Sequence, residues 1–251
     1  MRTSLMFAGV CKSFPTARGR MTVLDSVTLR VGAGGWTSLV GPSGCGKTTL
    51  AKIASGIVPA DAGQVLLGGE TGSREGTVAY MPQHDTLFPW RTAIENAVLP
   101  AEVDGRSRSQ ARTEARRLFA RFGLSGFEDQ HPLALSGGMR QRVALIRTFL
   151  ARRDILVLDE PFGALDALTR AGLQRWLSDV WTELQHTVLF ITHDVEEAVL
   201  LSDSVAVSSP LPGRIRSEIA IELPRPRSRV SAEVTAYRAA LMESLAEGAL
   251  S

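Results

Sequence analysis

The sequence predicts an α/β fold built on a parallel β-sheet. Two continuous apolar runs, residues 155–158 and 188–191, have the length and composition of strands that are buried on both faces. Each run ends in polar residues, and ligands of such sheets bind at the carboxyl ends of the strands. A third apolar run, Trp36–Val40, is followed by a glycine-rich loop and a helical segment. These three observations favour a ligand site at one edge of the sheet.

Local patterns predict the other elements of the N-terminal part. Apolar and polar residues alternate over 4–10 and 21–31, which is typical of half-buried strands. A helix is expected over about 48–55, and two further strands over 64–67 and 76–80. The first third of the chain is therefore expected to consist mainly of strands.

Helical patterns dominate the middle of the chain. Apolar residues recur at helical spacing over 107–122, and a second helix is expected from Met139 to about Arg152. Beyond Pro224 a basic segment leads to a short helical pattern around residues 240–245. The sequence therefore predicts a helix-rich stretch between two strand-rich regions, with a short helix near the C-terminus.

Composition excludes several classes of protein. The 251 residues suffice for one or two domains, and 44% hydrophobic with 22% charged residues is ordinary for a soluble globular protein. A formal net charge of +2 is too small to indicate nucleic-acid binding. Cys11 and Cys45 lie far apart, which argues against a disulfide framework or a zinc site. With no apolar run of membrane-spanning length and no secretory segment, a soluble cytosolic protein is expected.

The glycine-rich loop has the spacing of a phosphate-binding loop. It reads Gly41-Pro42-Ser43-Gly44-Cys45-Gly46-Lys47-Thr48 and lies between a predicted strand and a predicted helix, as this motif requires. Its glycines let backbone N–H groups face a polyphosphate, and the helix N-terminus adds positive charge. Lys47 can reach the β- and γ-phosphates, and the Thr48 hydroxyl can bind Mg²⁺. A flexible glycine-rich turn is the structural alternative, and Cys45 reads as a small filler.

An acidic pair supplies what the loop needs for hydrolysis. Asp159 ends the apolar run 155–158, where a carboxylate can hold Mg²⁺. Glu160 follows directly and can orient or deprotonate an attacking water. Alone, the pair is equally consistent with a buried strand that ends in a loop. Together with the phosphate loop, it favours nucleotide hydrolysis.

A third motif discriminates among nucleotide-binding classes. Leu135-Ser136-Gly137-Gly138-Met139 offers a hydroxyl and bare backbone at the start of the predicted helix 139–152, which makes a second anion site. Read alone, it is a capped helix start. Shortly before the acidic pair, it resembles the signature sequence of ATP-binding cassette (ABC) proteins.

The order of the remaining landmarks agrees with this resemblance. Gln83 matches the Q-loop glutamine, Asp166 the D-loop aspartate and His193 the switch histidine, while Phe14 takes the place of the aromatic residue that stacks on adenine. The resemblance implies that Glu160, His193, Gln83 and Lys47 are catalytic and that Thr48, Gln83 and Asp159 bind Mg²⁺. The implied ATP-binding residues are Phe14, Gly41, Pro42, Ser43, Gly44, Cys45, Gly46, Lys47, Thr48, Thr49, Ser136, Gly137, Gly138 and Asp166.

The resemblance also implies an architecture. It predicts a RecA-like P-loop NTPase core with an N-terminal antiparallel β-subdomain and an inserted α-helical subdomain at about residues 84–153. The ABC ATPase domain would cover residues 1–224, and residues 225–251 would form a C-terminal tail.

The implied function is that of the ATP-hydrolysing subunit of an ABC transporter at the cytoplasmic face of the membrane. In this family each nucleotide lies between one subunit's phosphate loop and the other's signature sequence, so a head-to-tail dimer is expected. The implied partners are transmembrane permease subunits and a periplasmic or lipid-anchored solute-binding protein, with no nucleic acid.

The solute class is indicated by two segments. Residues 86–90 (TLFPW) and 223–227 (LPRPR) resemble those of nitrate, sulfonate and taurine importers, although thiamine-precursor importers share them. Because the chain ends about where the catalytic fold ends, the extra regulatory domain of maltose-type subunits is not expected. The alternatives are a soluble ABC ATPase that is not coupled to transport and, less favoured by Leu-Ser-Gly-Gly, a phosphate-loop kinase.

Overall fold

The computed structural model of the chain describes residues 3–17, 19–72 and 76–249. The strands are β1 (Leu5–Thr16), β2 (Gly19–Val31), β3 (Trp36–Val40), β4 (Ala62–Leu67), β5 (Val78–Met81), β6 (Ile155–Asp159), β7 (Thr187–Ile191), β8 (Ser204–Ser208) and β9 (Ile215–Ala220). The α-helices are α1 (Lys47–Ala54), α2 (Ala93–Ala97), α3 (Leu99–Val103), α4 (Arg108–Arg121), α5 (Gly137–Leu150), α6 (Ala167–Leu184), α7 (Val195–Leu201) and α8 (Ala232–Ala249). A 3₁₀ turn covers Pro132–Ala134. In the part of the chain that is described, none of the helices has the length and apolar character needed to cross a bilayer.

The chain divides into two compact units. The first contains residues 1–80, 154–160 and 174–251, and the second contains residues 81–153 and 161–173. The first unit holds the sheets, and α2–α5 belong to the second.

A six-stranded sheet in the order β5-β6-β7-β3-β8-β9 forms the centre of the first unit. β6 pairs parallel with β7, and β3 pairs parallel with both β7 and β8, while β9 is antiparallel to β8. Every residue of β3, β6 and β7 is buried, as the continuous apolar runs predict for a parallel sheet. The predicted strands are confirmed, and the carboxyl ends of these three strands share one edge.

A three-stranded antiparallel sheet in the order β2-β1-β4 is formed by the N-terminal strands. β1 and β2 are both longer than their alternating patterns indicate, because their antiparallel pairing continues as far as Thr16 and Gly19. Their buried side chains, among them Phe7 and Leu29, join one apolar cluster with Leu50 of α1 and Val157 of β6. The two kinds of sheet that the sequence predicts are therefore present.

The helices of the second unit have well-defined starts and buried faces. Thr92 and Glu95 form a capping box at the start of α2, so two otherwise unpaired backbone N–H groups are satisfied. In α4 the buried side chains are Ala111, Ala115 and Phe119, which follow the predicted helical spacing. α2, α3 and α4 each contact α5, which makes α5 the centre of this unit.

The C-terminal segment differs from its prediction. The sequence indicates a short helix near residues 240–245, whereas α8 extends over Ala232–Ala249. The pattern underestimates it because, among the side chains described at residues 232–246, only Val234 and Leu241 are deeply buried. Before α8, the Arg227 guanidinium donates to the carbonyl oxygens of Val199 and Ser202, each at 2.6 Å. The expected tail is thus tied to the end of α7, while residues 250 and 251 lie outside the described residues.

A buried amide organises the loop that precedes α2. Asn96 is fully buried, and its Oδ1 accepts from the Phe88 N–H at 2.7 Å. Its Nδ2 donates to the carbonyl oxygens of Phe88, Arg91 and Thr92 at 3.0–3.1 Å. One side chain therefore fixes the backbone of residues 88–92.

We expect Asn96→Ala to lower the free energy of unfolding by about 2 kcal/mol or more, because several buried backbone groups lose their partner at once. Urea unfolding followed by circular dichroism measures this loss. Gln110→Ala, on the exposed side of α4, is the matched control and should change stability by less than ~0.5 kcal/mol. An Asn96→Ala protein as stable as the control would contradict the structural role of this amide.

Candidate functional site

The phosphate loop lies between β3 and α1, and glycine is sterically required at two of its positions. Gly46 has φ +103°, and a Cβ there would lie 2.7 Å from the Cδ2 of Leu24. A Cβ on Gly41 would lie 2.9 Å from the Cβ of Ser208. These close approaches bring the loop backbone against neighbouring strands, so side chains larger than hydrogen are excluded at both positions.

Lys47 opens α1 and is almost completely buried. Its Nζ donates to the carbonyl oxygens of Gly41 at 2.7 Å and Pro42 at 2.8 Å, so the ammonium is held inside the loop. Cys45 is a buried free cysteine whose Sγ lies 3.8 Å from the same Nζ. The loop thus concentrates positive charge at the edge of the sheet where β3 ends.

Asp159 ends β6 with only 1% of its surface exposed. Its Oδ2 accepts from the Tyr80 hydroxyl at 3.4 Å, whereas Oδ1 has no hydrogen-bond partner among the residues that the structure describes. Burial raises the pKa of this carboxyl, and the Thr48 hydroxyl and the Lys47 charge act in the opposite direction. An unpaired buried carboxylate oxygen beside a hydroxyl is a fitting pair of ligands for a hard divalent cation such as Mg²⁺.

The wider composition of this edge is also consistent with Mg²⁺. Within the described ranges, no group of three or more His, Cys, Asp or Glu side chains is placed to hold a metal ion. Mg²⁺ at phosphate sites is commonly bound by one or two protein oxygens together with substrate phosphates and water, so a dense ligand cluster is not required. The residues present therefore fit a nucleotide-dependent Mg²⁺ site.

Glu160 and His193 lie together at the ends of two neighbouring strands. The Nδ1 of His193 is 3.4 Å from the Oε1 of Glu160. Glu160 has φ +48°, which is unusual for a residue with a side chain, and its N–H donates to the Ile191 carbonyl oxygen at 2.8 Å. Because β6 and β7 are adjacent and parallel, residues that follow them meet at the same edge. This backbone strain is held in place by the pairing of the strands.

The signature residues and the predicted D-loop aspartate belong to the second unit. The Ser136 Oγ accepts from the Met139 N–H at 3.2 Å and so caps α5. A Cβ on Gly138 would lie 3.3 Å from the Ala164 carbonyl oxygen, which places the start of α5 against the segment before Asp166. The Oδ1 of Asp166 accepts from the Thr169 N–H at 3.0 Å, and this hydrogen bond lowers the pKa of Asp166.

The roles of two predicted site residues are not tested by their positions alone. Phe14 is half-buried in β1 of the first unit, and the Lys12 ammonium lies 5.5 Å from the centroid of its ring. Gln83 is an exposed residue at a bend after β5, in the second unit. An adenine platform at Phe14 and a coupling role for Gln83 therefore stay predictions.

Sequence reasoning missed two residues, Tyr80 and Gly213, that lie against the site but are far from it in sequence. Tyr80 donates to Asp159, and Gly213 lies so near the phosphate loop that a Cβ would be 2.2 Å from the Cys45 carbonyl oxygen. The available signals were Tyr80 immediately before the Q-loop segment and the Pro212-Gly213 pair. Neither signal by itself names the partner, because each contact spans a long separation in sequence.

Comparisons with known proteins agree with this geometry. The family model described as ABC transporter matches residues 24–163. An ABC transporter ATP-binding protein of Methanocaldococcus jannaschii is 41% identical over 254 residues, covering 100% of this chain and 94% of that protein. The aliphatic sulfonates import ATP-binding protein SsuB of Bacillus licheniformis is 40% identical, with 88% of this chain and 86% of that protein covered.

A solved dimeric structure of an ATP-binding cassette, in a post-hydrolysis state bound to ADP and Pi, superposes with a TM-score of 0.79. It is 26% identical and covers 88% of this chain and 100% of its own. Fold, motif order and relatives aligned over nearly the whole length agree, and the chain belongs to the ABC transporter ATP-binding protein family.

Proposed function

We propose that this chain binds and hydrolyses ATP with Mg²⁺ and powers an ABC importer for a solute of the nitrate, sulfonate or taurine type. The observation that carries hydrolysis is the edge of the six-stranded sheet, where a buried, unpaired Asp159 oxygen lies near Lys47 and Thr48. The Glu160–His193 pair follows the adjacent strands at that edge. A protein that only bound ATP would not need the Glu160–His193 pair.

ATP binding is assigned to the phosphate loop and to Phe14. The backbone of residues 41–49 and the Lys47 ammonium bind the phosphates, because N–H groups at a helix N-terminus and a buried cation favour anions there. Lys47 exchanges its carbonyl acceptors in the loop for phosphate oxygens. Phe14 supplies an aromatic face for adenine.

The metal is assigned to the hydroxyl of Thr48, the carboxylate of Asp159 and the side chain of Gln83. When bound, Mg²⁺ neutralises charge on the phosphates. Tyr80 holds one oxygen of Asp159 and leaves the other available for a ligand.

The hydrolytic step is assigned to Glu160. Its carboxylate accepts a hydrogen bond from the attacking water and takes up a proton as the water oxygen bonds to the γ-phosphorus and the bond from that phosphorus to the β–γ bridging oxygen breaks, which releases ADP. His193 contacts Glu160. In this proposal it orients the carboxylate and faces the γ-phosphoryl group that is transferred to water. The strained backbone at Glu160 fixes the side chain at the strand end.

A second copy of the chain completes each site in this proposal. Ser136, Gly137 and Gly138 of one copy contact the nucleotide bound by the other, and Asp166 lies beside them at the interface. Two large apolar side chains, Leu133 and Leu168, are almost fully exposed next to these motifs in the second unit. Apolar side chains of this size are suited to burial against a partner.

The coupling surface is assigned to Phe88 and Trp90. Their rings stack with centroids 5.1 Å apart, and Trp90 is 71% exposed. With this much of its surface exposed, Trp90 contributes little to the core of its unit. Exposed aromatic pairs are typical anchors for a partner helix. We assign them to a short cytoplasmic helix of a membrane permease.

The importer type is supported by relatives and by local sequence. Relatives named as aliphatic sulfonate import ATP-binding proteins align with most of this chain, and residues 86–90 and 223–227 resemble that class. The proposal places the chain at the cytoplasmic face of the membrane, in a complex that receives solute from a periplasmic or lipid-anchored binding protein.

We expect Glu160→Gln to keep ATP affinity near that of the wild type but to reduce hydrolysis by at least ~10²-fold, because the amide cannot accept the proton. ATP-locked dimers should accumulate, which size-exclusion chromatography with ATP detects. Glu243→Gln, on an exposed turn of α8, is the matched control and should leave hydrolysis unchanged. Near-normal turnover of Glu160→Gln would remove Glu160 from this role and favour His193.

We expect Phe14→Ala to weaken ATP binding about tenfold or more, because stacking on one base is worth roughly 1–3 kcal/mol. Phe14→Trp should retain binding, and Met21→Ala removes a comparable apolar side chain from the opposite position of β2 as a control. Titration with ATP by calorimetry measures all three. If Phe14→Ala binds ATP as tightly as the wild type, the adenine is bound elsewhere.

We expect the double substitution Phe88→Ala, Trp90→Ala to leave the ATPase rate of the isolated protein within about threefold and to abolish transport. Aromatic anchors at an interface often contribute ~2 kcal/mol or more each. Substitution of two other exposed apolar residues of this unit, Val103→Ala with Phe127→Ala, is the control. Solute uptake by cells and co-purification of the permease are the measurements. Normal uptake by the Phe88, Trp90 variant would contradict the coupling surface and favour a soluble ABC ATPase.

A further inference from the structure

The two neighbours of His193 are held by a single hydroxyl group. The Oγ1 of Thr192 accepts from the Asp194 N–H at 3.0 Å and donates to the Oε2 of Glu197 at 2.8 Å. His193 itself is exposed, with 63% of its side chain accessible. The position of an exposed imidazole on a short loop depends on how firmly its flanking residues are fixed.

Behind that hydroxyl lies a chain of buried polar side chains. Glu197 is 5% exposed and Gln174 of α6 is 4% exposed. The Gln174 Nε2 donates to the Oε1 of Glu197 at 3.0 Å, and its Oε1 accepts from the Arg229 guanidinium. The direction of every hydrogen bond is fixed: Arg229 donates to Gln174, and both Gln174 and Thr192 donate to Glu197.

This arrangement is chemically specific. A carboxylate accepts hydrogen bonds only, so Glu197 suits two donors. The Gln174 amide can link Glu197 to Arg229 because its nitrogen donates and its oxygen accepts. Burial of a carboxylate is unfavourable unless such partners are present. An apolar residue at position 197 would pack α7 against the sheet without fixing Thr192.

We propose that Glu197 and Gln174 are positioning residues for His193. Through Thr192 they hold residues 192–194 so that the His193 imidazole faces Glu160, and Arg229 anchors the far end of the chain. This inference rests on the proposed ATP hydrolysis, in which His193 and Glu160 act together. Arg229 lies after the expected catalytic domain, and the proposal gives it a role in setting the catalytic geometry.

The first test is Glu197→Gln in the full-length protein. Its amide nitrogen must face either the Gln174 amide or the Thr192 hydroxyl, so one donor loses its acceptor. We expect the kcat of ATP hydrolysis to fall at least tenfold, while ATP affinity stays within twofold because the phosphate loop takes no part in the chain. Calorimetric ATP titration and phosphate release measure the two quantities.

The second test exchanges the two groups by combining Gln174→Glu with Glu197→Gln. The amide at position 197 then donates to the carboxylate at 174 and accepts from Thr192, and Arg229 donates to that carboxylate. Each hydrogen bond of the original chain regains a donor and an acceptor. We expect kcat within threefold of the wild type.

A matched control removes a neighbouring charge from the same helix. Glu196 forms ion pairs with Arg229 at 3.3 Å and Arg238 at 3.0 Å on the outer side of α7. Glu196→Gln should leave kcat within twofold. An equal loss of kcat in Glu196→Gln would mean that general weakening of α7 is responsible, and would overturn the proposal.

Other outcomes separate this inference from the function on which it rests. Wild-type protein that binds ATP without hydrolysing it contradicts the proposed function and this inference with it. Active wild type with equally active Glu197→Gln overturns only the inference, as does a folded exchange variant that stays slow. If Glu197→Gln does not fold, Thr192→Val against Thr192→Ser decides: the valine variant should be slow and the serine variant normal, and equal rates overturn the proposal.

Discussion

Parallel pairing of β6 with β7, and of β7 with β3, is the constraint on which the rest of the site depends. It brings three strand ends to one edge, so residues that are far apart in the chain become neighbours there. Lys47 follows β3, Asp159 ends β6, and His193 follows β7. Because all three strands are buried on both faces, the residues that follow their carboxyl ends are the ones that can reach a ligand at that edge.

Two buried carboxylates of the first unit, Asp159 and Glu197, differ in how many of their oxygens have a hydrogen-bond partner. Both oxygens of Glu197 accept from side chains, whereas one oxygen of Asp159 has no partner in the described part of the chain. A fully paired buried carboxylate fixes its surroundings, while an unpaired one is unfavourable until a ligand arrives. The contrast agrees with the roles proposed for the two residues, positioning for Glu197 and ligand binding for Asp159.

In the second unit, side-chain hydrogen bonds fix the backbone at the two proposed partner surfaces. Asn96 fixes the backbone of residues 88–92 from beneath, so the exposed rings of Phe88 and Trp90 are carried on an ordered loop. Ser136 similarly fixes the start of α5, and Gly137 directly after it is exposed. An interface carried on ordered backbone loses less conformational entropy when it binds.

The sequence by itself determined strands β1–β7, the phosphate loop, the acidic pair and the capped start of α5, because each is encoded by residues close together in the chain, whereas it did not predict β8 and β9. Glycine spacing, continuous apolar runs and a serine before a helix act over a few residues. Only the tertiary structure decided that Tyr80 contacts Asp159, that Gly213 lies against the loop at Cys45, and that α8 is a long helix tied to α7. These features depend on which distant segments meet, and that is set by the burial of whole strands and helices, which leaves no short-range pattern in the sequence.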